Sequence, residues 1–587
     1  MNAWRRFATY VMLAAFNGII LLLLHQEWPR VGFDHSYFQP RLLDVHLHYL
    51  ADGISIQWWT PSFGGGLPAF PNPQHTQLML PQLLLPLTDP WTATVLGILL
   101  PSSFCHLLIV KFTLDHLAWS PIASLVAAAV FATNNFFLYH AFSGHLGFAT
   151  FPLVAVLPFC FRGATPAGRA LALLALTGTV IIFTGGYTVI IVYLLTALLL
   201  AIGLALADAT AFPCRRSLCV IAGGGVLMLT ACAAKLCAVA LFMQQFPRIV
   251  DYAHPAKTTL EACVSVPAQL LLWKPLLFLE RIGWLSADDV FARWAGVGVE
   301  DLGLSPVALV LLPLGVAVWI KRWRASGTIP LALALIGVVW LTVELTLGRG
   351  VFWPWLKPLP ILRSLHANSR FGSAFILPAA LLCGLGVHAF LARPRPRGAP
   401  AAVLLAAVGL SLISLLPLRR LMHGHWFGGF DLSPIQAAWT QIEAGNRFVP
   451  ITAIADVRDD QVFALQASSW KPYEPIFGYG YGGADFRTRI KVGPIPSSAG
   501  SPFNLNHPVA LYAPAHVDVS PFTPLPGSEN ENAWQFLRRQ QPTGWRLPQI
   551  QLAANALSLI GLFAITFFLF RGIRPYGRLT PSAISPS

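Results

Sequence analysis

The chain has 587 residues; 55% are hydrophobic and only 11% are Asp, Glu, Lys or Arg, against about a quarter charged in an ordinary soluble domain. With a mean hydropathy of +0.61, this excludes a soluble globular enzyme, a disordered chain and a disulfide-rich secreted scaffold. The net charge of +14 is not read as a nucleic-acid footprint, because Lys and Arg gather on the cytoplasmic side of membrane proteins.

A bilayer-crossing helix needs about 20 apolar residues. Taken in chain order, the apolar runs predict twelve spans, at 8–24, 92–110, 121–140, 147–161, 170–184, 188–207, 218–242, 302–320, 328–347, 372–391, 399–417 and 549–570. The first follows Arg5 and Arg6, has no small-residue cleavage site behind it, and reads as a retained signal anchor with a cytoplasmic N-terminus. The alternation then places 111–120, 162–169, 208–217, 321–327, 392–398 and the tail from 571 in the cytoplasm, and each of these carries Lys or Arg. The short turns near 141–146 and 185–187 fall on the opposite side and carry neither. None of the eight cysteines forms a CxxC pair, and neither a disulfide nor a zinc site is expected.

Four long segments, 25–91, 243–301, 348–371 and 418–548, fall on the outer side. In the first, Phe38, Leu42, Val45 and Tyr49 recur at helical spacing, predicting a helix over 37–49. A second short apolar run, Leu78 to Leu87, is broken by Pro81 and Pro86. Both read as interfacial helices, with Trp58 and Trp59 at the membrane surface. The more polar 418–548 segment reads as a small mixed α/β domain, with β-like runs at Phe448–Ile454, Gln461–Leu465 and Val509–Tyr512. The division is therefore a transmembrane unit over 1–417, an outer domain over 418–548, and a last span with a Pro/Ser-rich tail over 549–587.

Several short patterns occur in order along the chain: Asp34; Trp59-Thr60-Pro61; Gly64-Gly65-Gly66-Leu67-Pro68; Ser143-Gly144-His145 before an apolar stretch reaching Pro158; Lys235-Leu236 and Phe246-Pro247-Arg248; Ser369-Arg370-Phe371; and Gly384-Leu385-Gly386. Together, over roughly residues 1–390, they resemble the YfhO-like membrane proteins of the GT-C glycosyltransferase superfamily. The resemblance implies a GT-C-like polytopic α-helical fold. It also implies transfer of a sugar from a polyprenyl-phosphate donor to an acceptor outside the cytoplasm, a glycan, lipid or protein of the envelope. The setting implied is a bacterial inner membrane, with membrane lipids as neighbours and no nucleic-acid partner. An acidic residue in the first outer segment serves such enzymes as catalytic base or, in some members, as ligand of a divalent metal (Mg or Mn). That role maps to Asp34. The chain departs from the pattern between Tyr139 and Thr150, where many relatives carry a second acid; here His140 and His145 stand instead.

Each candidate has a structural alternative. Asp34 could accept the proton of an attacking hydroxyl or cap the next helix; Asp44 is the second choice of base. Lys235, inside a span, could face the donor phosphate, snorkel, or pair with Glu344. Arg248, Arg363 and Arg370 stand at predicted helix ends, where each could fork onto a carrier phosphate or contact lipid headgroups. Of the three, Arg370 is the first choice. His145 could orient the sugar, bind a metal, or be a satisfied structural histidine. Glu300 could bind sugar hydroxyls or, with Asp301, cap a helix. A metal cluster of His35, His46, His48, Asp34 and Asp44 is disfavoured, since the i,i+2 spacing of His46 and His48 puts them on different helix faces. No Walker A loop, HExxH or GxSxG pattern is present. Two other functions fit the composition: a transporter or flippase of lipid-linked glycans, and a non-catalytic assembly factor acting through 418–548.

Overall fold

The computed structural model describes scattered positions of 10–21, then 28–63, 67–245, most of 264–275, 302–326, 328–365, 368–394, 396, 398–413, 429–445, most of 453–469, 523–524 and 548–571. Arg248, Glu300, Asp301, Gly64 to Gly66 and the run Val509–Tyr512 lie outside the described residues.

The described chain is mainly helical. In order, the helices that build the body are α1 (His35–Asp52), α2 (Pro90–Asp115), α3 (Pro121–Ala132), α4 (Asn135–Ser143), α5 (Ala167–Phe183), α6 (Tyr187–Ala207), α7 (Cys214–Ala231), α8 (Ala233–Gln245), α9 (Ala308–Ser326), α10 (Ile329–Leu347), α11 (Ile376–Leu391), α12 (Ala399–Ile413), α13 (Ser433–Glu443) and α14 (Gln549–Phe570). By length and composition, α2, α6, α7, α10, the stretch Asn368–Leu391 and α14 can each cross a membrane. The pair α3 and α4, bent by 45°, makes a seventh if counted as one span. Ala167–Phe183, Ala399–Ile413 and Phe148–Phe161 are apolar but shorter. The sequence expectation of twelve uniform spans therefore meets a less regular set.

Two irregularities have identifiable causes. The expected span 218–242 breaks at Cys232 into α7 and α8. A break inside an apolar layer leaves backbone groups that need partners, and α14 supplies them. Ser558 Oγ accepts from Ala234 N at 2.8 Å, and Gln551 Nε2 donates to Ala234 O at 2.9 Å. Gly561 lets α14 approach, since a Cβ there would lie 2.5 Å from Ala231 N. The α3–α4 break is sealed in the same way. Thr133 Oγ1 donates to Ala129 O, Asn134 Oδ1 accepts from Phe137 N, and Lys274 Nζ donates to Thr133 O. Gly384 and Gly386 are packing glycines: side chains there would strike Trp119 and Ala127, or Leu311 O, where α11 meets α3 and α9.

The 28–89 segment differs from the interfacial expectation. The predicted helix over 37–49 is real and longer, but α1 is buried along most of its length, including Phe38, Leu42 and Val45. It is covered by residues from 430–469. β1 (Arg30–Val31) pairs antiparallel with β4 (Phe430–Asp431), and Trp439 of α13 lies 5.0 Å from the His46 ring. β2 (Trp59–Thr60) and β3 (Leu67–Pro68) pair antiparallel on either side of the Gly-rich stretch in the sequence, and Trp59 is buried rather than interfacial. Leu80–Leu84 forms the second short helix against Gly97 of α2, with Leu83 and Leu87 exposed. The expected β-like run Gln461–Leu465 is instead helical over Val462–Leu465, following the 3-10 turn Asp459–Gln461. Charge pairing of Arg458 with Asp460 and the buried anchor at Asp459 favour a turn there. Of the run Phe448–Ile454, the described end belongs to β5 (Ala453–Ala455), which pairs with β6 (Ala467–Ser469) and β7 (Thr523–Pro524).

Candidate active site

Asp34 stands immediately before α1, in helical backbone geometry, and its side chain makes no cap hydrogen bond. The capping alternative is therefore not what the carboxylate does. Its position follows from a close approach of two chain segments. Asp34 N donates to Ser143 O at 2.9 Å. Gly32 permits this contact, because a Cβ there would overlap the Phe142 carbonyl oxygen. Gly144 permits it from the other side: it ends α4 at φ +97°, and a Cβ would lie 2.5 Å from His35 N. The turn that ends α4 is thus pressed against the start of α1, and His145 follows directly.

His145 Nε2 lies 3.1 Å from Asp34 Oδ2. With the proton on Nε2, the imidazole donates to the carboxylate. His145 Nδ1 faces His140 Nδ1 at 2.9 Å, so one proton must lie between the two rings. Either His140 donates to a neutral His145, or an imidazolium at His145 donates to His140; the Asp34 contact is the same in both. His140 is buried and stacks on Phe148 at 4.0 Å. The Arg370 guanidinium lies over the other partner of that stack, 4.8 Å from the Phe148 ring centre. The side chains of Asp34 and His145 are 17% and 21% exposed, so the dyad is reachable while its support is buried.

The neighbouring His35 is held neutral. Burial, then the nearby His145, pushes its pKa down to about 3. Its ring meets Trp91 edge-on at 5.2 Å. The site therefore contains one carboxylate, a histidine pair able to share a proton, and a cation one aromatic ring away. Such a set can hold a carboxylate in a fixed orientation and move a proton at Asp34.

The other sequence candidates fall elsewhere. Asp44 is buried, where its carboxylate accepts from Gln57 Nε2 at 2.8 Å and from Ser62 Oγ. Lys235 neither snorkels nor pairs with Glu344. Its buried ammonium donates to Phe70 O at 2.6 Å and Asn72 O at 2.8 Å, tying α8 to the 28–89 segment. Glu344 accepts instead from Trp340 Nε1, Val351 N and Phe352 N. Arg363 is exposed on the short helix Pro360–Ser364. His46 and His48 turn to separate partners, Trp439 and Ser55.

Among the described residues, no group of three or more His, Cys, Asp or Glu side chains is arranged to hold a metal ion. The Asp34 site offers one carboxylate and an imidazole whose two nitrogens already face Asp34 and His140, a poor fit to Mg or Mn, which favour several oxygen ligands.

Arg41 and Asp459 escaped the sequence reading, and His140 was noticed there without a role. Arg41 of α1 pairs with Asp459 at 3.2 Å, both side chains buried. The guanidinium sits between the Tyr37 and Phe63 rings, 3.6 and 4.4 Å from their centres, and Ser469 Oγ donates to Asp459 at 2.7 Å. No sequence signal links partners 418 positions apart. His140, five residues before His145 in the last turn of a Gly-ended helix, was within reach of spacing arguments.

No family model and no curated protein matches the chain. Two solved structures resemble it. The arabinofuranosyltransferase AftD from Mycobacteria is 17% identical with a TM-score of 0.38, over 76% of this chain and 30% of that one. The archaeal oligosaccharyltransferase AglB from Archaeoglobus fulgidus, in complex with an inhibitory peptide and a dolichol-phosphate, is 14% identical with a TM-score of 0.34, over 76% of this chain and 59% of that one. The chain spans less than two thirds of either structure. Likeness at this level assigns neither a site nor a substrate.

Proposed function

We propose that this chain is a membrane glycosyltransferase that moves a sugar from a polyprenyl-phosphate donor to an extracytoplasmic acceptor, with inversion. The observation that carries the reading is the partly exposed Asp34 carboxylate, held 3.1 Å from His145 Nε2 at the start of α1, in a chain with several helices long and apolar enough to cross a membrane. The motif order of residues 1–390 supports the same class. The setting proposed is a bacterial inner membrane, with the site on the outer face.

In this mechanism Asp34 accepts the proton of the acceptor hydroxyl as its oxygen attacks the anomeric carbon. The bond from that carbon to the carrier phosphate breaks, and the polyprenyl phosphate leaves with the electron pair. His145 fixes the carboxylate through its Nε2 proton, and His140 fixes His145. Arg370, beside Phe148, is placed to offset charge on the departing phosphate. Lys235 is a positioning residue: it holds the 70–72 backbone.

The test uses the full chain in nanodiscs with a panel of polyprenyl-phosphate sugars, following release of free polyprenyl phosphate. Asp34→Asn is expected to lower release by about 100-fold or more, the range for loss of a positioned base, with expression unchanged. Full activity in Asp34→Asn overturns the assignment. Movement of a lipid-linked glycan across proteoliposomes without sugar release would replace it with a transport function.

A further inference from the structure

Two buried carboxamides on the helices that carry His140 and Arg370 have no polar partner among the described residues. Asn135 is 1% exposed and Asn368 is fully buried, and neither the amide nitrogen nor the oxygen of either meets a hydrogen-bonding group. Burying an amide unpaired is costly, because water satisfied both ends before folding. Such groups in a native interior call for an explanation.

Their positions supply one. Asn135 opens α4, the helix that carries His140 and ends at Gly144 beside Asp34. Asn368 opens the 3-10 helix Asn368–Phe375, two residues before Arg370. Both helices touch the same short segment: Asn135 N donates to Gly303 O at 2.8 Å, and Gly372 packs on Leu302. A third unpaired amide, Gln269, neighbours Leu270, whose carbonyl accepts from Leu304 N at 2.7 Å. These three amides therefore lie on elements that meet at residues 302–304, whereas Gln82, also unpaired, belongs to the short helix against α2.

A carboxamide offers a donor and an acceptor in one plane. The ligand group that answers both is a pair of neighbouring hydroxyls, each of which also donates and accepts. A bare phosphate answers only the donor half. We propose that Asn135 and Asn368 bind the hydroxyls of the donor's sugar and so set which sugar is accepted. This rests on the glycosyltransferase reading and deepens it. Asp34 and Arg370 would then act at the reacting bond while the two amides read the ring.

The test uses Asn135→Leu and Asn368→Leu in the full chain in nanodiscs, with thermal unfolding as readout. Undecaprenyl phosphate, alone and carrying each of a panel of monosaccharides, is the probe. Leucine matches the amide in volume without polar atoms. Each variant is therefore expected to be at least as stable as the parent chain without ligand. The parent is expected to gain more from one glycosylated carrier than from bare carrier, and each variant to bind that carrier about tenfold more weakly with bare-carrier binding unchanged. A leucine variant that is less stable without ligand overturns the inference, since the amide then has an internal role such as holding a water. So does a sugar-dependent gain that survives in both variants, which leaves the glycosyltransferase reading intact. A parent chain that responds alike to bare and glycosylated carriers overturns both.

Discussion

At the scale of single residues, Gly144 makes the Asp34–His145 contact possible. Its φ of +97° is one that side chains avoid, and the space a Cβ needs is taken by His35 N. Gly144→Ala is therefore expected to cost about 2–3 kcal/mol or more, from backbone strain plus the displaced turn. Denaturant unfolding of the purified protein measures this; a loss below about 0.5 kcal/mol would show that the turn yields easily. Asp34 itself was legible from its place after an apolar run. That its partner would be a histidine pair rather than a second acid followed only in part, because the sequence shows His140 and His145 without showing that they face each other.

At the scale of elements, α1 is fixed by what lies over it. The Arg41–Asp459 pair joins α1 to a turn more than 400 residues later, inside a shell made by Tyr37, Phe63 and Ser469. Removing one partner leaves a buried charge uncompensated, so Asp459→Ala is expected to cost about 3–5 kcal/mol. The double variant Arg41→Met with Asp459→Ala should recover much of that, because no charge is then stranded. Hydrogen exchange along 35–52 reads the effect locally. Equal protection in the single and double variants would mean that the pair contributes little. The helical period of 37–49 was plain in the sequence. Its burial was not, since an amphipathic stripe looks the same whether it meets lipid or a folded segment. Likewise Lys235 was recognisable as a costly residue inside an apolar run, but only folding brings the Phe70 and Asn72 carbonyls to it.

At the scale of the whole molecule, buried histidines outside the spans give stability a definite pH dependence. His35, held down to about 3, and His75, pushed well below its ordinary value by burial and then by Lys235, stay neutral in the fold. Both take up a proton near pH 6.5 when unfolded. Between about pH 3 and 6.5 the unfolded chain therefore binds more protons, and stability rises with pH through that window. Their contribution is complete above about 6.5 and is lost progressively below it. At pH 5 His35 alone should cost about 2 kcal/mol relative to pH 7.5. The thermal midpoint should fall accordingly, and by less in His35→Asn; a midpoint independent of pH from 7.5 to 5 would refute this.

Composition alone determined that the chain lives among apolar surroundings as a bundle of helices, because 55% hydrophobic residues in long runs cannot be buried otherwise. Period and spacing determined where α1, α6, α10 and α14 lie, while Asp34, His145 and Arg370 became candidates through the ordered short patterns that resemble a known family. Only the tertiary structure decided which spans break, at Thr133–Asn134 and at Cys232, because a break survives only where Lys274, or Ser558 and Gln551, reach the freed backbone. It alone decided that Asp34, His145, His140 and Arg370 form one cluster while Asp44 and Lys235 hold the scaffold. Hydrophobic pattern is a property of neighbours in sequence; partnership between polar groups depends on which distant backbones can come close, and here glycines at 32 and 144 set that approach.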